Sequence, residues 1–307
     1  MKRIRGFSLI ELAIVLVIVT LLIGGLAVPL TAQIQARRIA ETKKTLEEAR
    51  EAIIGYAMSH AVNVSPPTTC TCVYKADNTL NTPDIPLDAS DDPDSTCSVS
   101  LCPISYIASA TMTLTPPITR HRLPCPDKLD DGNPLTTDDG DGVADHIDAD
   151  PTQDCARPYG YLPWATLGVA SQDAWGNRLR YAVSDAFSKS TGFSNIDEGN
   201  LKVCNSSANA GTSDCTSGNV ADKVPVVLLS HGPNGWGALN VSGKTLALIG
   251  GNGEKENYNT DTEFVSSLPY KPADGSAAEQ AKEFDDLVRW ISADQIRGRV
   301  CPSGGCP

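Results

Sequence analysis

FSLIELAIVLVIVTLLIGGLAVPLTAQIQA, running from Phe7 to Ala36, holds one charged side chain, Glu11, and no other follows until Arg37. Roughly 20 apolar residues cross a bilayer as a helix, so the run predicts a membrane-spanning helix over 7–36. Ahead of it stands MKRIRG, with Lys2, Arg3 and Arg5. A basic block in that place keeps the extreme N-terminus in the cytoplasm and sends the rest outward. A plain secretory signal has an apolar core of roughly 7–15 residues and a small-residue cleavage site. This run is longer and carries a carboxylate near its start. In a bilayer-facing helix that group costs roughly 2.5–3.5 kcal/mol on insertion scales. No basic side chain follows it within the run, so Glu11 needs a partner from elsewhere.

The helical pattern continues past Pro29 into TAQIQARRIAETKKTLEEAREAIIGYAMSH, Thr31–His60. Ile39, Leu46, Ala49, Ile53 and Ala57 recur near three- and four-residue steps, with charged residues between them. Glu41 with Lys44 and Glu47 with Arg50 stand at the i,i+3 spacing of surface ion pairs. A helix over 7–60 is about 80 Å long. Its first half is apolar all round, and its second half has one stripe to lay on a globular body. Gly24, Gly25 and Pro29 are its weak points, because Pro removes a backbone donor and Gly lowers helix stability.

The chain has 307 residues and a formal charge of -12, which excludes the basic surface that phosphate binding needs, so no nucleic-acid partner is expected. Hydrophobic residues make up 41% against 20% charged, which excludes wholesale disorder. Ten cysteines stand beside only four histidines and no pair of CxxC motifs, so disulfides fit better than a zinc cage. Disulfides imply a compartment outside the cytoplasm. Cys70, Cys72, Cys97 and Cys102 fall in a Pro-, Thr- and Asp-rich loop region, 61–104, and are free to pair among themselves. Cys125 with Cys155, Cys204 with Cys215 and Cys301 with Cys306 are the simplest remaining pairs, although spacing alone leaves connectivity open.

Strand-like runs follow, each bounded by turn residues: Ser105–Leu114, Arg178–Ser184, Val224–Ser230 and Thr245–Gly250. Glu283–Ser292 reads either as a helix, through Phe284, Leu287 and Ile291, or as an edge strand, through Val288 and Trp290. The expected fold class is α+β. A long membrane-spanning N-terminal helix packs on an antiparallel sheet head, 61–307, with disulfide-braced loops.

Gly6-Phe7-Ser8-Leu9-Ile10-Glu11 resembles the prepilin cleavage and methylation motif of type IV pilins and type II secretion pseudopilins. The resemblance implies a leader, 1–6, removed after Gly6 by a prepilin peptidase, and N-methylation of Phe7. It implies that Glu11 assists assembly by pairing with the Phe7 amine of a neighbouring copy. The partners it implies are other pilin or pseudopilin subunits, met through the N-terminal helix, and inner-membrane assembly machinery. The location it implies is a single-pass inner-membrane precursor with a cytoplasmic N-terminus, then a periplasmic or extracellular filament. RLPCPD at Arg122–Asp127, GYLPWATLG at Gly160–Gly168, DAWGNRLRY at Asp173–Tyr181 and LLSHGPNGWG at Leu228–Gly237 are similar to phrases of a subgroup of large minor-pilin-like proteins. No catalytic role comes with them.

TDDGDGVADHIDADP, Thr137–Pro151, is the chain's candidate metal loop. Counted from Thr137, Asp139, Asp141, Asp145 and Asp148 fall at positions 3, 5, 9 and 12 of a calcium loop, and Gly142 falls at the sharp turn. Crowded carboxylates repel one another, and a hard cation relieves that. Position 1 is Thr rather than Asp, and position 12 lacks the longer Glu; Asp138 or Asp150 could substitute. Ca2+ is therefore the one cofactor expected. A monomeric membrane-anchored, calcium-dependent adhesin is the competing functional class. Ser230-His231 with Asn234 invites a hydrolase reading, but the GxSxG context of a nucleophile elbow is missing. No enzymatic activity is expected.

Overall fold

A computed structural model describes residues 9–64, 70–72, 110–112, 118–128, 140–205, 219–259, 261–301 and 306. Of these, 21–29, 70–72, 110–112 and 118 are described by backbone alone. Gly6, Phe7, Cys97, Cys102, Asp139 and Cys215 lie outside the described residues.

The first helix, α1 (Leu9–Ser59), is unbroken through Gly24, Gly25 and Pro29 and is about 77 Å long. Among the described residues no helix is long and apolar enough to cross a membrane. The C-terminal part of α1 carries the stripe its spacing predicts. Thr42, Leu46, Ala49, Ile53, Ile54 and Ala57 are fully buried, and Ile39 is half-buried. Each large aliphatic side chain in that row contributes about 1.5–3 kcal/mol by leaving water. On the outer face Lys44 pairs with Glu48 at 3.2 Å rather than with Glu41, and Arg50 pairs with Glu47.

Short elements follow: β1 (Ala61–Val64), β2 (Cys70–Cys72), β3 (Ala110–Met112), β4 (Ile118–His121), β5 (Tyr159–Tyr161), α2 (Trp164–Leu167), β6 (Arg180–Val183) and α3 (Asp185–Ser188). After them come β7 (Leu201–Cys204), β8 (Asn219–Val224), β9 (Val226–Ser230), α4 (Asn252–Tyr258), β10 (Glu263–Val265), α5 (Ala277–Gln280), β11 (Leu287–Ile291) and α6 (Ala293–Val300). A four-stranded antiparallel sheet in the order β11-β9-β6-β5 forms the middle of the head. A three-stranded sheet, β10-β7-β8, lies behind it, and its β10–β7 pair is parallel.

The alternation along β9 explains the layering. Val226 and Leu228 enter the core shared with α1, and Val227 and Leu229 enter a second core with Leu201, Val203, Val224 and Phe264. Successive side chains point to opposite faces, so a strand with both faces covered must be apolar throughout. The head is therefore three layers, helix on sheet on sheet, where one antiparallel sheet was expected. Leu287 and Ile291 face the α1 core while Val288 and Trp290 face the other, so 287–291 is the edge strand and not a helix. Ser292 then opens α6 with a capping box closed by Gln295. The inner side of α6, Ile296 and Val300, packs on α1, and Arg299 meets Glu51 at 2.6 Å.

Two other expectations change. The run expected at Thr245–Gly250 makes only an isolated bridge, Leu239 to Thr245. Its neighbour is the Gly-rich turn Gly235–Gly237, against which Leu246 and Leu248 pack, and Ile249 is left 60% exposed. The run at Ser105–Leu114 contributes only β3 to the described residues. Cys125 is joined to Cys155 and Cys301 to Cys306, and Cys204 is also disulfide-bonded.

Candidate functional site

The phrase RLPCPD leads into the acidic loop. Asp127 is buried, and its Oδ2 accepts the Gly142 amide at 3.0 Å while its Oδ1 has no hydrogen-bond partner. Asp145 is buried and its Oδ2 accepts the Lys128 amide at 2.7 Å. Asp141 is exposed and turns back on Val143, and Asp148 is exposed in a 3-10 turn at φ +53°. Burial, then the charges of Asp145 and Asp141, push Asp127 up to about 7. Asp141, Asp145 and Asp148 do not converge as a set of ligand atoms. Asp127, a residue the loop spacing did not include, lies near enough to feel the charges of Asp145 and Asp141.

Among the described residues, ligand atoms of Glu254, Asp285 and Asp286 come within 4.8 Å of one another, a grouping that can hold a metal ion. Two tight backbone segments create it. LLSHGPNGWG leaves β9 through Ser230-His231 and turns at Gly232, whose φ is +59° and where a Cβ would strike the Asp285 carbonyl at 2.3 Å. Only Gly suits that combination. The second segment is Glu283–Asp286, pressed against the turn just before β11.

Glu254, at the start of α4, is fully buried. Its Oε1 accepts Asn234 Nδ2 at 2.7 Å and the Asp285 amide at 3.0 Å, and its Oε2 accepts the Gly251 amide at 3.1 Å. Asp285 Oδ2 accepts the Asn234 amide at 3.2 Å, and Asp286 Oδ2 accepts Asn257 Nδ2 at 2.8 Å. The other oxygen of each aspartate is buried without a hydrogen-bond partner. Burial and then the Asp286 charge push Glu254 up to about 8 and Asp285 up to about 7.

Sequence reasoning missed this group because its members are distant in sequence and EFDDLVRWIS was read only for periodicity. The paired carboxylates Asp285-Asp286 ahead of an apolar strand were the available signal.

Ser230 and His231 are not a nucleophile and base. The Ser230 hydroxyl is fully buried and donates to Asp173 Oδ2 at 2.7 Å, while its oxygen accepts the Gly232 amide at 3.2 Å. The His231 ring points to Asp286 instead, with Nδ1 3.7 Å from Oδ1.

The raised carboxyls set a pH dependence. Asp127, Asp285 and Glu254 hold protons more tightly folded than unfolded. Between their unfolded values near about 4 and their folded values, the folded chain binds more protons, so stability falls as pH rises. Burial lowers the pKa of His146, an opposing effect that ends above about pH 6.5, where the ring is neutral in both states. In EDTA the melting temperature should therefore fall between about pH 6.5 and 8.5. A melting temperature that climbs steadily across that window contradicts the assignment.

Glu11 lies exposed in the first turn of α1, where a carboxylate suits the positive end of the helix dipole. No curated protein and no solved structure matches the chain. Residues 1–27 match the family model described as the prokaryotic N-terminal methylation motif, so the chain opens with the prepilin signal seen on type IV pilins and pseudopilins.

Proposed function

We propose that the chain is a filament subunit, a minor pilin or pseudopilin of a type IV pilus or type II secretion-like assembly. The match to the methylation motif at 1–27 carries the reading, because that motif runs directly into α1. In this reading 1–6 is the leader, 7–60 the stalk with 7–36 in the membrane or filament core, and 61–307 the extracytoplasmic head. A prepilin peptidase cuts after Gly6, and Phe7 becomes the methylated N-terminus. Glu11 then pairs with the Phe7 amine of a neighbouring subunit, which fixes the axial register of adjacent stalks. The precursor sits in the inner membrane, and its partners are further subunits and the assembly machinery.

The proportions support a minor or tip position. The described side chains from Leu9 to Val19 are exposed in the isolated chain, whereas one stripe of the stalk from Thr42 to Ala57 is buried against the head. A head of this bulk is least crowded at a tip.

Glu11→Ala tests the pairing. It should reduce incorporation into sheared filaments or pseudopili severely and leave the melting temperature of the head unchanged, since Glu11 is exposed and the buried stripe of α1 starts only at Thr42. Normal filament yield from the variant, judged by immunoblot of the sheared fraction, would sink the pairing mechanism.

A further inference from the structure

We propose that Glu254, Asp285 and Asp286, with His231 beside them, form a binding site for one divalent cation. Three carboxylates converge within 4.8 Å in a largely buried place. Carboxylates so close cannot all stay charged unless a cation lies among them; without one they hold protons. The described hydrogen bonds of Arg180, the nearby guanidinium, go to the backbone oxygens of Asn257 and Tyr258. It influences Asp286 only through space.

The second observation is His231. It is 1% exposed, and neither ring nitrogen has a hydrogen-bond partner. Its Nδ1 faces Asp286 Oδ1 at 3.7 Å, too far for a hydrogen bond. Buried polar atoms are nearly always satisfied. Here the imidazole and one oxygen each of Asp285 and Asp286 are all unsatisfied, with the imidazole beside Asp286 and the two aspartates in one cluster. One ion answers all of these needs. Glu254 already accepts three hydrogen bonds, two of them on Oε1, so it contributes charge and closes one side. The two aspartate oxygens and the imidazole supply the open coordination. Carboxylates suit Ca2+ and Mn2+, and an imidazole nitrogen favours Mn2+ over Ca2+.

The test uses full-length protein purified in detergent and stripped with EDTA. Mn2+ is titrated while the free-ion resonance signal is followed. One ion per chain should bind, with affinity on the order of a millimolar or tighter. Asp285→Asn and Asp286→Asn should each weaken it by about tenfold or more, and His231→Gln by a similar factor. Asp145→Asn, on the acidic loop, should leave it unchanged. Because a variant here can misfold, the wild type carries an independent measurement. Fe2+ in place of Mn2+, with ascorbate and peroxide, cuts the backbone beside the bound ion. Cuts near 231–234, 251–254 and 283–286 support the site. No Mn2+ uptake, cuts confined to 127 and 140–145, or binding lost only in Asp145→Asn would each overturn it.

Discussion

Gly6→Ala should leave the leader wholly attached, so that the N-terminal peptide recovered for mass spectrometry starts at Met1 and carries no methyl group on Phe7. The expected change is from complete processing to none. Gly has no side chain to obstruct an approaching backbone or active site, and the methylation motif spans this position. The consequence is electrostatic. An uncut chain keeps Lys2, Arg3 and Arg5, and each basic group costs roughly 2.5–3.5 kcal/mol when drawn into an apolar helix environment. The same chain also lacks the new amine that Glu11 requires. Assembly should therefore fail twice over, while the head folds normally. Native protein isolated with Met1 intact, or normal cutting of the variant, would remove the filament reading and favour a plain anchor.

The second large effect belongs to the head. Asp173→Ala should lower stability by about 3–5 kcal/mol, since each buried group left unsatisfied costs about 1–3 kcal/mol. Asp173 Oδ1 accepts the amides of Trp175 and Asn177, both at 2.9 Å, and Oδ2 accepts the Ser230 hydroxyl at 2.7 Å. The carboxylate thus closes the DAWGN turn and ties it to the end of β9. The same turn docks on the stalk, where the Ala174 amide donates to Thr42 Oγ1 at 3.1 Å. Removing the carboxylate strands two amides and a hydroxyl at once. The melting temperature should drop by about 10 °C for a body of this size. Asp173→Asn keeps an acceptor and should lose less than half as much. A melting temperature within a degree of wild type for the alanine variant would show that the turn is held by packing alone.

How far the sequence foretold this structure depends on the kind of signal. The stalk was legible because one stripe of apolar residues at helical spacing has one solution, a face laid on a core. The third layer was hidden in VPVVLLS, since a continuous apolar run does not say what covers its second face. Thr245–Gly250 has strand composition, but pairing requires a neighbour with a regular edge, and a glycine turn offers none. The acidic loop advertised itself through spacing. The carboxylates that do converge come from two separated segments, and only the fold brings them together.

The contact between Glu51 and Arg299 joins residues 248 positions apart. Closing so long a chain carries a large entropic cost before any contact rewards it. The seam between α1 and α6 therefore cannot seal until residue 299 has arrived. On the filament-subunit reading proposed above, the apolar stripe of α1 would stay uncovered until α6 had been delivered across the membrane. On that same reading, a chaperone guarding the stripe would have its busiest moment just before α6 emerges.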